Sequence, residues 1–244
     1  MPMDGFLNII IPVYNEGDNI VSTISEIKLK ISVPYRILVV YDFDEDNTLP
    51  ALANSIHKDD GIRLVKNQYG RGALNAIKTG FNSVDDGIIL VVMADLSDDL
   101  AVVNEMHRKI QEGYDIVCGS RYMKGGKQIG GPWLKKALSR TAGLSLHYLA
   151  GIPTHDVTNS FKMYTKKVLN EVEIESNGGF ELGMEIVIKS HLKGFKIGEV
   201  PSTWRDRSAG ESRFKLFQWL PKYIHWYWLA LRSKPAVCLE KVKP

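Results

Sequence analysis

The sequence predicts a doubly wound, mostly parallel α/β sheet, and three observations predict it. Short apolar runs rich in Ile and Val recur through the first half of the chain. Segments of helical periodicity lie between them, and polar, chemistry-bearing residues gather directly after each run. Apolar neighbours on both faces of a strand indicate a sheet covered by helices on both sides, and strand–helix alternation implies right-handed crossovers. In such a sheet a ligand sits beyond the carboxyl ends of the strands.

Taken in order, Phe6–Val13 is the first strand and delivers Pro12, Val13, Tyr14, Asn15 and Glu16 to that edge. Asp18–Ile31 follows as a helix with Ile20, Ile24, Ile27 and Ile31 on one stripe. Ile37–Val40 is the second strand, followed by Tyr41-Asp42 and Asp44-Glu45-Asp46. Ile62–Val65 is the third, followed by Asn67–Gly72; Ile88–Val92 is the fourth, followed by Ala94-Asp95-Leu96-Ser97-Asp98-Asp99. Ala101–Ile110 aligns Val102, Met106 and Ile110 as a helix, and a fifth strand at Asp115–Val117 leads to Gly119-Ser120-Arg121-Tyr122. Lys124–Gly131, with four glycines, reads as a flexible loop. Pro132–Ala150 is helical, Ile197–Trp204 is a late strand, and Phe214–Arg232 is an aromatic-rich helical region. Pro221 is poorly tolerated inside a helix, so two short helices are expected there, the second opening at the proline.

The 244 residues suffice for one large domain, and a 24% charged fraction is ordinary for a folded protein. The net charge of +3 is unevenly placed: from Arg205 to Pro244 nine Lys/Arg face three Asp/Glu, so the body is mildly acidic and the tail basic. A basic end suits an anionic partner such as a phosphate-bearing substrate or a phospholipid surface; no nucleic-acid partner is expected. Cys118 and Cys238 fit no metal or redox spacing, which favours the cytosol, and Cys118 reads as a core residue. The first residues lack signal-peptide character, and no apolar stretch approaches the ~20 residues needed to span a bilayer.

Asp95 carries the clearest chemistry. A carboxylate directly after an apolar strand can hold a hard cation, Mg2+ or Mn2+, through oxygen, while Ser97 or Asp98 caps the following helix. The turn Gly70-Arg71-Gly72 could offer backbone N–H groups to a phosphate, but it lacks a P-loop ending and reads as a plain turn. The six histidines show no ligand spacing. Glu181 and Glu185 share a helix face and read as solvated charges. Asp156 could orient an acceptor hydroxyl or, with Asn159 and Ser160, stabilise a turn.

Five segments together resemble a known family. PVYNE at 12–16, ADLS at 94–97, GSRY at 119–122, DVTNSFKMY at 156–164 and GESR at 210–213 are similar, in order, to motifs of family 2 glycosyltransferases, with the polyprenyl-phosphate (dolichol-phosphate) mannose synthases as the nearest group. The resemblance spans about residues 6 to 214 and implies a GT-A fold, with a catalytic domain over 1–212 and an amphipathic interfacial segment and tail over 213–244. It implies an inverting sugar transfer from a nucleotide-sugar to an acceptor, a polyprenyl phosphate in the nearest group. Pro12, Tyr14, Asn15 and Glu16 would line the nucleotide together with Met93 and Ala94, and Val39 and Asp42 would lie beside base and ribose. Asp95, helped at Ser97, would bind Mg2+ or Mn2+. Arg121 and Lys135 would grip the acceptor phosphate, and Arg207 and Arg213 the donor diphosphate.

The chain departs from the family pattern at Met93, where the first Asp of a DxD motif belongs, and at Tyr41, where an Asp pair is usual. Arg213 replaces a Lys, and Asp98-Asp99 replaces His-Pro. Transfer to a glycan hydroxyl and an inactive nucleotide-sugar-binding homologue are the alternative readings. A nucleotidyltransferase would carry a Gly-rich loop after the first strand, where this chain has PVYNE. The Trp and Tyr residues of 214–232, with nearby cations, suit a bilayer interface and point to a peripheral protein on an anionic membrane surface. The competing reading packs that aromatic face on the catalytic body.

Overall fold

In a computed structural model, residues 5–55, 61–206 and 216–233 are described, with side chains of the last segment from Trp219. β1 (Leu7–Val13) is buried at every position. It lies inside a seven-stranded sheet with β2 (Tyr35–Tyr41), β3 (Ile62–Lys66), β4 (Ile88–Val91), β5 (Ile116–Ser120), β7 (Lys162–Thr165) and β8 (Ile197–Pro201), in the order β3-β2-β1-β4-β7-β5-β8. β1 pairs parallel with β2 and β4, β2 with β3, and β5 with β8, whereas β7 runs antiparallel between β4 and β5. A small ribbon, β6 (Lys127–Ile129) with β9 (Thr203–Arg205), stands apart.

Successive strand side chains point to opposite faces, and two cores result. On one face Ile10, Leu38, Val40 and Ile89 pack with Ile77 and Phe81 of α3 (Ala73–Asn82), Leu146 of α5 (Trp133–Ala150), Ile186 of α7 (Leu182–Leu192), and Trp226 and Ala230 of α8 (Leu216–Arg232). On the other, Ile9, Ile11, Ile37 and Val39 meet Ile20, Ile24 and Ile27 of α1 (Asn19–Lys30) and Met106 of α4 (Val103–Gln111). α2 (Thr48–Ser55) and α6 (Lys166–Glu171) complete the helices among the described residues. Cys118 is buried in the first core, as its apolar setting predicts.

Four expectations are corrected. The late strand divides at Ser202 into β8 and β9, because its partner changes there from β5 to β6: Ser202 N–H donates to Ser120 O at 2.9 Å, and Ser202 O accepts Lys127 N–H at 3.0 Å. The segment around Pro221 is one helix with the proline inside it. Proline removes one helical hydrogen bond, and the burial of Trp226 and Ala230 against the body offsets that loss. The helix after Asp95 opens with a 3-10 turn capped by Asp99, whose Oδ1 accepts Ala101 N–H at 3.1 Å, and Ser97 and Asp98 are freed for other work. Glu181 and Glu185 are fully buried. Glu185 accepts the N–H groups of Glu175 and Ser176 and pairs with Lys189, while Glu181 accepts those of Gly178 and Gly179.

Candidate active site

The strand order sets the layout of the site. Along one edge of the sheet stand, in sequence, the residues after β3 (Arg71), β2 (Asp42), β1 (Tyr14–Glu16), β4 (Asp95–Asp98) and β5 (Arg121). Because β7 is antiparallel, the residues that precede it, Asp156–Phe161, reach the same edge. Strands lie about 4.8 Å apart, so β4 and β5, with β7 between them, are separated by roughly 10 Å.

The loop after β1 is pinned to the start of α2. Asn15 N–H donates to Asp46 Oδ2 at 3.0 Å, Glu16 N–H to Thr48 Oγ1 at 3.0 Å, and Gly17 N–H to Asn47 Oδ1 at 2.9 Å. Asn15 has φ 53, the left-handed conformation that Asn tolerates best after Gly. Tyr14 and Glu16 are half-buried at the edge, and Pro12 and Ala94 are buried beneath it with Met93 partly exposed. Val39 is 0% exposed and packs in the core, so its side chain does not reach the edge. Asp42 does: Oδ2 accepts Gly72 N–H at 2.9 Å and Oδ1 accepts Asn67 Nδ2–H at 2.7 Å.

After β4 the chain makes a tight turn in which Asp95 Oδ1 accepts Ser97 N–H at 3.1 Å. Leu96 between them has φ 55, which is strained for a residue with a branched side chain. The turn brings Asp98 towards Asp95. Desolvation and the Asp95 charge together push the Asp98 carboxyl up to about 7, although Arg121 and Lys162 pull it down. Two carboxylates this close offer oxygen ligands of the kind a hard divalent cation takes, so the residues present fit Mg2+ or Mn2+. Ser97 is buried in the turn, 5% exposed, and its N–H orients Asp95. The sequence pattern left the helix cap to Ser97 or Asp98, whereas Asp99 takes it; the Asp-x-x-Asp spacing across a tight turn is the signal for the approach of Asp98 to Asp95.

At the end of β5, Arg121 is held by Asp156. Nε donates to Asp156 Oδ2 at 2.6 Å and Nη2 to Oδ1 at 2.8 Å, and Nη2 also reaches Ser139 Oγ and Thr158 Oγ1. Burial alone would push the Asp156 carboxyl up; the charge and hydrogen bonds of Arg121 outweigh it and hold the group below the usual carboxylate range. Asp156 is therefore the counter-ion of Arg121, and such an anion is a weak base. Its loop is fixed from beneath: Asp156 N–H donates to Thr154 Oγ1, and Glu199 of β8 accepts from Thr154 Oγ1 and His155 N–H. From the side, Gly143 of α5 lies so close that a Cβ there would stand 2.3 Å from His155 O. Lys162 is fully buried behind this pair, donating to Val157 O at 3.1 Å. Lys135 sits in the first turns of α5, partly buried. Arg207 and Arg213 lie outside the described residues, as does most of the basic tail.

Comparison with known proteins places the chain in a family and agrees with the fold. Residues 8–173 match the family model described as Glycosyl transferase family 2. The chain is 32% identical over 222 residues to a dolichol-phosphate mannosyltransferase of Pyrococcus furiosus, an alignment that covers 88% of this chain and 61% of that one. It is 28% identical over 229 residues to a polyprenol monophosphomannose synthase of Mycolicibacterium smegmatis, covering 86% and 85% respectively. Among solved structures, a glucosyl-3-phosphoglycerate synthase from Mycobacterium tuberculosis in complex with Mn2+, uridine diphosphate and glucosyl-3-phosphoglycerate superposes with a TM-score of 0.68 at 14% identity, over 95% of this chain and 81% of that chain. The same synthase with Mg2+ and uridine diphosphate gives 0.67 at 15% identity, again over 95% and 81%. At these identities the structural likeness is one of fold.

Proposed function

The chain belongs to glycosyltransferase family 2, and from that premise we propose that it moves a sugar from a nucleotide-sugar to the phosphate of a polyprenyl lipid, with inversion at the anomeric carbon. The observation that carries the reading is that one sheet edge brings together the carboxylates Asp95 and Asp98 after β4 and, after β5, an Arg121 guanidinium that Asp156 holds in a fixed orientation. A donor diphosphate with its cation and an anionic acceptor need that complement, because two phosphorylated substrates must approach without repulsion.

Tyr14, Asn15 and Glu16 hold the nucleotide against the backbone of Pro12, Met93 and Ala94, and Asp42 braces the far end. Asp95 and Asp98, with the turn at Ser97, would hold Mg2+ or Mn2+, and the bound cation would supply charge neutralisation of the departing diphosphate. Arg121 and Lys135 receive the acceptor phosphate, and Arg207 and Arg213 the donor diphosphate. One acceptor oxygen bonds to the anomeric carbon as the bond to the diphosphate breaks, and the bonding electrons leave with the nucleoside diphosphate. The acceptor is already an anion, so no general base is required. A glycan hydroxyl would need one, and Asp156, the carboxylate best placed in sequence for that task, is committed to Arg121.

A lipid-borne acceptor also accounts for the surface beside the site. α5 leaves Trp133 78%, Tyr148 73% and Leu149 71% exposed, and α8, packed on α5, leaves Trp228 50% exposed. Half-wet aromatic rings of this kind suit a bilayer interface. Among the described residues no helix is long and apolar enough to cross a membrane, which fits attachment at the surface.

The test is incubation with a panel of nucleotide-sugars, Mn2+ and a polyprenyl phosphate, reading the glycosylated lipid. One donor should be consumed with release of its nucleoside diphosphate, and Asp95→Asn should lower turnover by about 100-fold or more. No product from any donor, or an unaffected Asp95→Asn, would overturn the reading.

A further inference from the structure

The loop that orients Arg121 is a strap laid across the end of β5, and it is anchored on both sides. β5 lies between β7 and β8. On the β7 side Phe161 O accepts Gly119 N–H at 2.9 Å, and over β5 itself Asn159 Nδ2 donates to Gly119 O at 2.9 Å. On the β8 side the strap meets Glu199, which stands in register with Cys118 of β5. One Glu199 oxygen accepts Thr154 Oγ1–H at 3.0 Å and His155 N–H at 2.8 Å, and the other accepts His155 Nδ1–H at 2.5 Å. The His155 ring is stacked in turn on His147 of α5, centroids 3.9 Å apart, and His147 Nδ1 lies 2.8 Å from Ile152 O in the same loop.

The Glu199 side chain is 12% exposed. A carboxylate so far out of water is costly unless donors satisfy it, and its three donors belong to two adjacent residues of the strap. Thr154 is the relay: while its hydroxyl donates to Glu199, it accepts Asp156 N–H at 3.1 Å. Asp156 then takes the Nε and Nη2 edges of Arg121, with Ser139 and Thr158 also on Nη2. That arrangement leaves the two N–H groups of Nη1 for a ligand. A chain of contacts thus runs from Glu199 through Thr154 and Asp156 to the Arg121 guanidinium.

Resting on the transferase reading above, we propose that Glu199 is a positioning residue of the acceptor site: by holding Thr154 and His155 it fixes the strap that turns Asp156, and with it Arg121, to the acceptor phosphate. The effect belongs to the acceptor alone, because the carboxylates after β4 and the loop after β1 make no contact with this chain of bonds. A displacement of about 1 Å in a group that grips substrate is enough to cost on the order of 100-fold.

Two measurements on the full chain decide. Calorimetry compares a short-chain polyprenyl phosphate in detergent with nucleoside diphosphates plus Mn2+, and nitrogen NMR follows the Arg121 Nε–H resonance, identified by its absence in Arg121→Lys. Glu199→Ala should weaken polyprenyl phosphate binding by about 10-fold or more, leave nucleoside diphosphate binding unchanged and speed exchange of the Nε–H. Glu199→Gln keeps an oxygen for Thr154 and His155 N–H, so it should restore most of the affinity. Should Glu199→Ala not fold, Glu199→Asp keeps the charge, draws it back by one methylene and should show a smaller loss of the same kind. Wild-type acceptor binding in the Ala and Asp variants, equal losses for both ligands, an unchanged Nε–H, or a Gln variant no better than Ala each overturn the positioning role and leave the transferase reading intact. A wild-type chain that binds nucleoside diphosphates but no polyprenyl phosphate overturns the lipid-phosphate reading itself, and the role of Glu199 with it.

Discussion

Leu96 and Asn15 are the two non-glycine residues among those described whose backbones enter the left-handed region, and both stand at the ligand edge. Strain of that kind persists where the surroundings enforce it. At Leu96 it aims Asp95 and folds Asp98 back towards it. Leu96→Gly should therefore stabilise the protein by about 1 kcal/mol in urea titrations while loosening divalent-cation binding; an unchanged midpoint would mean the turn is unstrained. The Arg121–Asp156 pair is the other residue-scale device. Removing one partner of a buried pair strands the other, so Asp156→Ala should lose about 3–5 kcal/mol. The pH dependence follows from the depressed Asp156 pKa. Its stabilisation is fully present above the ordinary Asp value of 3.8 and disappears as pH falls through the lower native value. Denaturation measured from about pH 5 to about pH 2 should show that acid loss in the wild type and a flatter limb in Arg121→Met/Asp156→Leu. The place of Asp95 at the sheet edge was legible from sequence, because the residues directly after an apolar strand stand at that edge. The burial of Glu181 and Glu185 was not legible, because their partners are backbone N–H groups of a loop whose path no local pattern encodes.

Among the elements, α5 mediates between chemistry and surroundings. One side, through Gly143, touches the loop that orients Asp156; the other exposes Trp133. Gly143→Ala should push the helix off that loop and destabilise the fold by about 1–3 kcal/mol, with activity falling further than stability alone explains. Equal losses would reduce α5 to packing. Its outer face gives a separate prediction: the full chain should co-sediment with anionic vesicles, less so at high salt, and Trp133→Ser/Trp228→Ser should stay in the supernatant while melting normally. Retention of the double variant on vesicles would move the contact elsewhere. For α8, the packing reading holds for one face of the helix. Trp226 is buried against the body, with Tyr223 and Tyr227 packed beside it, whereas Trp228 and Ile224 face outward. Periodicity groups residues by face but does not say which face meets protein, and that is why the division could not be read in advance.

Across the whole molecule, the strands before residue 120 were legible as apolar runs, and their crossovers as the helices between them. β7 was not. It lies within a motif rich in polar residues, and it is a strand only because it fills the gap between β4 and β5, a partnership between segments distant in sequence. That insertion has a consequence for the order in which the chain acquires its structure. The strip β3-β2-β1-β4 uses residues 7–91 alone, so it can assemble while the rest is still being synthesised. β5 has no neighbour among its predecessors. It waits for Thr165 to complete β7, and for Pro201 to complete β8, before either of its edges is paired. Non-local pairings form slowly and leave strand edges open meanwhile. The half of the protein that carries the proposed nucleotide residues is thus the half that can mature first, before the chain is able to orient Arg121.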